Sequence, residues 1–122
     1  MKDSTATVRM LREKYRKFRD ARDWEQFHDT KNLAIALSIE AGELLEHFLW
    51  NERDAISQKL KTDTVYREEV ADELADVVGY ALLLSHATGI DISTAIDTKL
   101  AKNAKKYPVE KAKGRSTKYT KL

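Results

Sequence analysis

Apolar residues recur every three or four positions along most of the chain, which is the spacing of a helical face rather than of a β-strand. Only four Gly and one Pro interrupt this pattern. It predicts helices over residues 4–22, 31–50, 53–60 and 64–87, and a last one from Asp91 or Ser93 to about residue 105. The expected fold is therefore all-α, a single helical bundle in which two long central helices carry the chemistry.

The predicted helix ends have local signals. Asp29 or Thr30 is placed to cap the second helix, and Thr88-Gly89 is a helix stop with glycine where φ is positive. The last helix should end before Tyr107-Pro108. We therefore expect a domain over residues 1–108 and a basic C-terminal tail over 109–122, extended or partly ordered, that contributes to the site or to an oligomer surface.

Four carboxylates lie where apolar residues are expected. Glu40 falls in the apolar series of the second helix, and Glu43 is its neighbour three residues on. Glu73 and Asp76 repeat the arrangement on the fourth segment. Close, unpaired buried carboxylates are costly, and neither stripe carries Lys or Arg. A divalent metal would satisfy all four, whereas the simpler alternative is a pair of charged helix faces exposed to water.

The donor set favours Mg²⁺, with Mn²⁺ also suitable, because carboxylate oxygens are hard ligands and phosphate or water can complete the coordination. A di-iron bundle would need Glu-x-x-His on two helices, and the sequence lacks it. The three histidines share no spacing, so we expect them to be surface or packing residues. They are His28, His47 and His86.

Charge and composition narrow the function classes. The absence of cysteine excludes disulfides and thiol chemistry. No apolar run is long enough for a membrane span and the start lacks a signal-peptide pattern, so we expect a cytoplasmic protein. Residues 99–122 carry nine basic residues and one acidic residue, a net charge of +8, against −6 for the rest. Such a segment suits nucleic acid, a polyphosphate or simply solvent.

The tryptophans form a second candidate constellation. Trp24 lies, with Phe27, in the connector before the second helix, and Trp50 lies at that helix's end. They could stack on a nucleobase, or they could close the ends of the bundle core.

Together these residues resemble the MazG-like, all-α nucleoside triphosphate pyrophosphohydrolases, whose hallmark is Glu-x-x-Glu on one helix and Glu-x-x-Asp on a later one. Here the two motifs are Glu40-Ala-Gly-Glu43 and Glu73-Leu-Ala-Asp76. The dCTP pyrophosphatase branch is the most similar. Its matching segments run from about residue 10 to the end and include residues 22–28, 32–33, 40–46 with Phe48 and Trp50, 73–80, Lys99, Asn103, Tyr107-Pro108 and 118–120.

The resemblance implies Mg²⁺-dependent hydrolysis of a nucleoside triphosphate to the monophosphate and pyrophosphate. It also implies a homodimer or dimer-based homotetramer with sites shared between subunits. The two carboxylate pairs would be catalytic metal ligands, and Trp24 and Trp50 would contact the base. The remaining implied contacts, to sugar or phosphates, are Tyr80, Lys99, Asn103 and Tyr107. Lys118 is a further candidate for offsetting phosphate charge.

The resemblance does not determine which base of the nucleotide substrate is preferred. Residues 51–72 are dissimilar from the family pattern, and Tyr15 lies where a related enzyme would place His near the substrate. A dCTP or modified dCTP is the expected substrate, with a role in nucleotide pool sanitation; a dUTP or broad-specificity hydrolase is the main alternative. A nucleic-acid-binding protein that uses the basic segment, and a non-catalytic helical partner, are alternatives from other classes.

Overall fold

The protein is described here by a computed structural model that covers residues 1–122. Every regular element is helical, as predicted. The α-helices are α1 (Val8–Asp20), α2 (Thr30–Leu49), α3 (Arg53–Thr62), α4 (Thr64–Thr88), α5 (Ile92–Lys106) and α6 (Val109–Ala112). Two 3₁₀ turns span Glu25–Phe27 and Tyr119–Lys121. No helix combines the length and apolarity that a membrane crossing requires.

Side-chain caps fix where the helices begin. Asp29 accepts a hydrogen bond from the backbone N–H of Asn32 at 2.9 Å, which confirms it as the cap of α2. Thr7 accepts from the N–H of Met10 at 3.1 Å, so α1 begins at Val8 and the prediction of a start near Ser4 was wrong. Gly89 ends α4 with φ of 69°, as its position in the sequence indicated.

The chain divides into two compact units, Met1–Gly89 and Ile90–Leu122. In the first unit the two longest helices, α2 and α4, pack along each other, and α1 and α3 pack against α4. The core contains Leu33 from α2 and Leu82 and Leu83 from α4. The Tyr66 hydroxyl ties α4 to α2 by donating to the carbonyl of His47 at 2.5 Å.

The second unit contains α5, α6 and the last 3₁₀ turn. Asp91 caps α5 by accepting from the N–H of Thr94 at 3.0 Å. The Tyr107 and Tyr119 rings meet edge to face with centroids 5.9 Å apart, and the Lys106 ammonium lies 4.8 Å from the Tyr119 centroid. The segment after Pro108 thus contains two short helical pieces and folds back on the end of α5.

Candidate functional site

The packing of α2 on α4 brings three of the four predicted carboxylates together. One carboxylate oxygen from each of Glu40, Glu73 and Asp76 lies within 4.8 Å of those from the other two. Glu40 and Glu73 are half-buried and Asp76 is exposed, so the cluster opens to solvent on the Asp76 side. Its position explains why acidic residues interrupt both apolar stripes: the same helix faces that build the core continue into the cluster.

The negative charge of the cluster is not compensated by neighbouring protein groups. The Oε2 atoms of Glu40 and Glu73 are buried and have no hydrogen-bond partner. Burial raises the pKa of Glu40 to about 7, and hydrogen bonds with the Glu43 and Glu73 carboxyls add to the rise. No Lys or Arg forms an ion pair with these residues. Unpartnered buried oxygens of this kind call for a proton or a cation.

Glu43, the fourth predicted ligand, is exposed and lies outside this group of three. Its carboxyl is nevertheless close enough to Glu40 to raise the pKa of that residue. Glu43 is therefore at the edge of the cluster, on the side that faces solvent.

A cavity of about 210 Å³ adjoins the cluster through Asp76. Its walls are largely aromatic, and it includes two of the predicted substrate contacts, Trp24 and Tyr80. The full lining is Tyr15, Phe18, Arg19, Trp24, His28, Asp76, Gly79, Tyr80 and Leu83. Burial and the neighbouring charges of Glu40 and Asp76 raise the pKa of Tyr80, which shows how closely the cavity approaches the carboxylates.

Tyr15 and Gly79 shape the cavity where α1 meets α4. The Tyr15 hydroxyl donates to the carbonyl of Ala75 at 2.9 Å, next to Asp76. The Tyr15 ring occupies the space that a side chain at position 79 would need, because an added Cβ at Gly79 would overlap the ring. Glycine is required here for close approach, and it lets an aromatic ring from α1 lie directly on the α4 backbone.

Several cavity residues were not recognised as site residues in the sequence. Arg19 is only 3% exposed, and His28, expected to be a surface or packing residue, lines the cavity with its Nδ1 atom buried and unpartnered. Burial and the nearby charge of Arg19 lower the pKa of His28. The one signal available for Arg19 is its spacing, since it lies four residues after Tyr15 and so shares that residue's side of the helix.

The other predicted substrate contacts are not among the residues that line the cavity. Trp50 follows the end of α2, is 82% exposed, and does not line the cavity. The remaining four belong to the second unit: Lys99, Asn103, Tyr107 and Lys118. Among them, Tyr107 contacts Tyr119, and Lys118 precedes the last 3₁₀ turn.

Comparisons with known proteins agree with this architecture. The sequence model of the MazG-like family matches residues 35–122. dCTP pyrophosphatase 1 of Rattus norvegicus is 36% identical over 116 residues, covering 95% of this chain and 68% of the relative. The enzyme of the same name from Bos taurus is 34% identical over 119 residues, covering 98% of this chain and 70% of the relative.

A solved structure is also similar. The crystal structure of a pyrophosphatase from Archaeoglobus fulgidus superposes with a TM-score of 0.76 at 37% sequence identity, covering 88% of this chain and 98% of that one. The family match includes both carboxylate-bearing helix segments, and the structural match extends to most of the fold. The chain belongs to the MazG-like family.

Proposed function

We propose that this nucleoside triphosphate pyrophosphatase uses Mg²⁺ to hydrolyse dCTP or a modified dCTP to the monophosphate and pyrophosphate. The observation that carries the metal assignment is the pair of buried, unpartnered oxygens, Glu40 Oε2 and Glu73 Oε2, beside Asp76. The preference for dCTP rests on the relatives named dCTP pyrophosphatase 1.

The donor set fits a hard divalent cation. The residues that would hold it are Glu40, Glu43, Glu73 and Asp76, which offer only carboxylate oxygens, so Mg²⁺ fits and Mn²⁺ is an acceptable substitute. When bound, the cation would supply charge neutralisation and polarisation of the triphosphate. Its positive charge would also stabilise the ionised form of Glu40, whose pKa is about 7 without it.

Side chains of the protein would accept the proton of the attacking water and bind the sugar and phosphates. Glu43, exposed at the solvent edge of the cluster, would accept a proton from the attacking water. Lys99 and Lys118 would offset charge on the leaving pyrophosphate, and Asn103 and Tyr107 would contact sugar or phosphate. These assignments are consistent with the basic character of the C-terminal segment.

The cavity supports a role for the aromatic residues in base binding. At about 210 Å³ it is smaller than the roughly 300 to 1,000 Å³ usual for small-molecule sites, so it suits a base rather than a whole nucleotide. A base between Trp24 and Tyr80 would leave the sugar and phosphates directed towards Asp76. Trp50 would complete the stack only if another subunit or a change of conformation delivered it.

Self-association is the second part of the proposal: a homodimer or a dimer-based tetramer. α2 has apolar residues on two sides. One side packs on α4, while the other exposes about half of each of its large side chains. These are Ile35, Ile39, Leu45 and Leu49. Several exposed apolar side chains on one side of a helix are typical of an interface, and Trp50 directly follows the end of α2.

The test is pyrophosphate release from the eight natural nucleoside triphosphates and 5-methyl-dCTP, with and without Mg²⁺. We expect metal-dependent turnover led by dCTP or its methylated form. Turnover spread evenly over all bases, or led by dUTP, would keep the metal chemistry and reject the base assignment. No release from any nucleotide by folded protein in Mg²⁺ would reject the proposal.

A further inference from the structure

Arg19 is a buried charge in the wall of the cavity. Only 3% of the residue is exposed, although arginine is almost never fully buried without a specific partner. It lies among aromatic and apolar side chains, and Trp24 and His28 line the same cavity. Its burial therefore requires an explanation beyond the packing of α1.

Protein carboxylates contact only two of the three nitrogens of the Arg19 guanidinium group. Asp20 accepts a hydrogen bond from Nε at 2.8 Å, and its Oδ1 atom lies 2.7 Å from Nη2. Glu25 is farther, at 3.8 Å from Nη2. Neither carboxylate contact involves the third nitrogen, Nη1. Asp20 thus neutralises the charge and holds the planar group in one orientation, which leaves the two N–H groups of Nη1 as oriented donors.

The shape of the cavity limits which ligand can accept hydrogen bonds from these donors. Flat aromatic walls suit a planar ring, and a guanidinium in the plane of that ring donates to acceptors on its edge. Cytosine presents two adjacent acceptors, N3 and the O2 carbonyl. Uracil and thymine carry a hydrogen on N3, which would point at another donor and leave buried groups unpaired.

We propose that Arg19 is a specificity-determining residue whose Nη1 donates to the N3/O2 edge of a cytosine base and discriminates against uracil and thymine. This inference rests on the proposed function, because it assumes that the cavity receives the base. Asp20 is then a positioning residue, since it orients the guanidinium but does not itself line the cavity.

The experiment compares dCTP, dUTP and 3-deaza-dCTP, which lacks the N3 acceptor, in the wild type and Arg19→Met. Methionine keeps the apolar stem and removes the donors. In the wild type we expect the 3-deaza change to lower kcat/KM by about 5- to 150-fold, the range of a specific base contact. In Arg19→Met that penalty should disappear, and the preference for dCTP over dUTP should collapse with it.

Binding gives a second readout that does not depend on turnover. Calorimetry of dCMP and dUMP should show tighter binding of dCMP by the wild type and equal binding by Arg19→Met. Arg9→Met is the matched control, since Arg9 is an exposed arginine of the same helix and does not line the cavity. If Arg19→Met does not fold, Arg19→Gln should lose the same discrimination, because its amide can accept from the N3–H of uracil as well as donate to N3 of cytosine.

The outcomes separate the two proposals. If the wild type hydrolyses dCTP but Arg19→Met slows every nucleotide equally, Arg19 contacts sugar or phosphate or is structural, and the inference is overturned while the proposed function stands. The same holds if 3-deaza-dCTP is hydrolysed as well as dCTP by the wild type. If the wild type hydrolyses no nucleotide, both proposals fail.

Discussion

The carboxylate cluster and the adjoining cavity both contain buried charged groups, but only the cavity provides a counterion from the protein. In the cluster, Glu40 and Glu73 have buried oxygens without any hydrogen-bond partner, and no Lys or Arg side chain pairs with them. In the cavity, Arg19 is more deeply buried but carries its own counterion, Asp20. A cluster of carboxylates without counterions attracts a cation. A guanidinium that is already paired with a carboxylate has no net charge to neutralise, and it can offer only the N–H groups that its partner leaves free. The first arrangement suits metal and phosphate binding, and the second suits recognition of a molecular edge.

The largest effect should come from neutralising the cluster. We expect Asp76→Asn and Glu43→Gln to lower kcat by more than about 100-fold, because loss of a metal ligand should exceed the 10- to 100-fold typical of groups that only support one. Pyrophosphate release measures the loss, and calorimetry with Mg²⁺ should show weaker binding. Circular dichroism should remain that of the wild type, since both side chains are exposed.

The matched control for this pair is Glu68→Gln. Glu68 is an exposed carboxylate of α4 outside the cluster, and its neutralisation should leave turnover within twofold of the wild type. Full activity of Asp76→Asn would remove Asp76 from the site. A similar loss in all three variants would show that net charge, rather than ligation, is responsible.

The sequence revealed the cluster better than the cavity, for a physical reason. Glu40 and Glu73 each interrupt an apolar stripe within one helix, so helical periodicity is enough to find them. The Tyr15–Gly79 contact joins two helices whose register depends on tertiary packing, and a single glycine in α4 has no periodic signal. Helix boundaries were also predicted best where the signal is local. Gly89 and Asp29 were identified from their own chemistry, whereas the start of α1 depended on which of several nearby residues formed the cap.

A smaller effect is expected from Gly79→Ala, which tests how the cavity is built. The added methyl would overlap the Tyr15 ring, and overpacking of this kind costs about 1 to 3 kcal/mol. Urea unfolding should show the loss of stability. In the double variant with Tyr15→Ala the overlap disappears, so the cost of the two changes together should be less than the sum of their separate costs.

Gly42→Ala is the control for stability. Gly42 lies inside α2 with nothing within 4 Å of an added Cβ, so alanine there should stabilise the protein by about 0.5 to 1 kcal/mol through helix propensity. Equal responses at positions 42 and 79 would contradict the close contact between Tyr15 and α4.

The last prediction concerns the proton that Glu40 holds when no metal is bound. Because burial raises the pKa of Glu40 from 4.5 to about 7, the folded protein binds a proton in this window that the unfolded chain has lost. The contribution of Glu40 to the free energy of unfolding should therefore fall as pH rises from about 4.5 to about 7, and level off above that. Urea unfolding in EDTA at several pH values measures it.

Glu40→Gln isolates this contribution, since the amide cannot titrate. Relative to the wild type, the variant should gain stability as pH rises through the window, while Glu68→Gln should follow the wild-type slope. Mg²⁺ should stabilise the wild type more at pH 8 than at pH 5.5, because below the pKa of Glu40 a proton competes with the metal. Identical slopes for Glu40→Gln and the wild type would mean that Glu40 is ionised in the metal-free fold, and that its neighbours tolerate the charge without a cation.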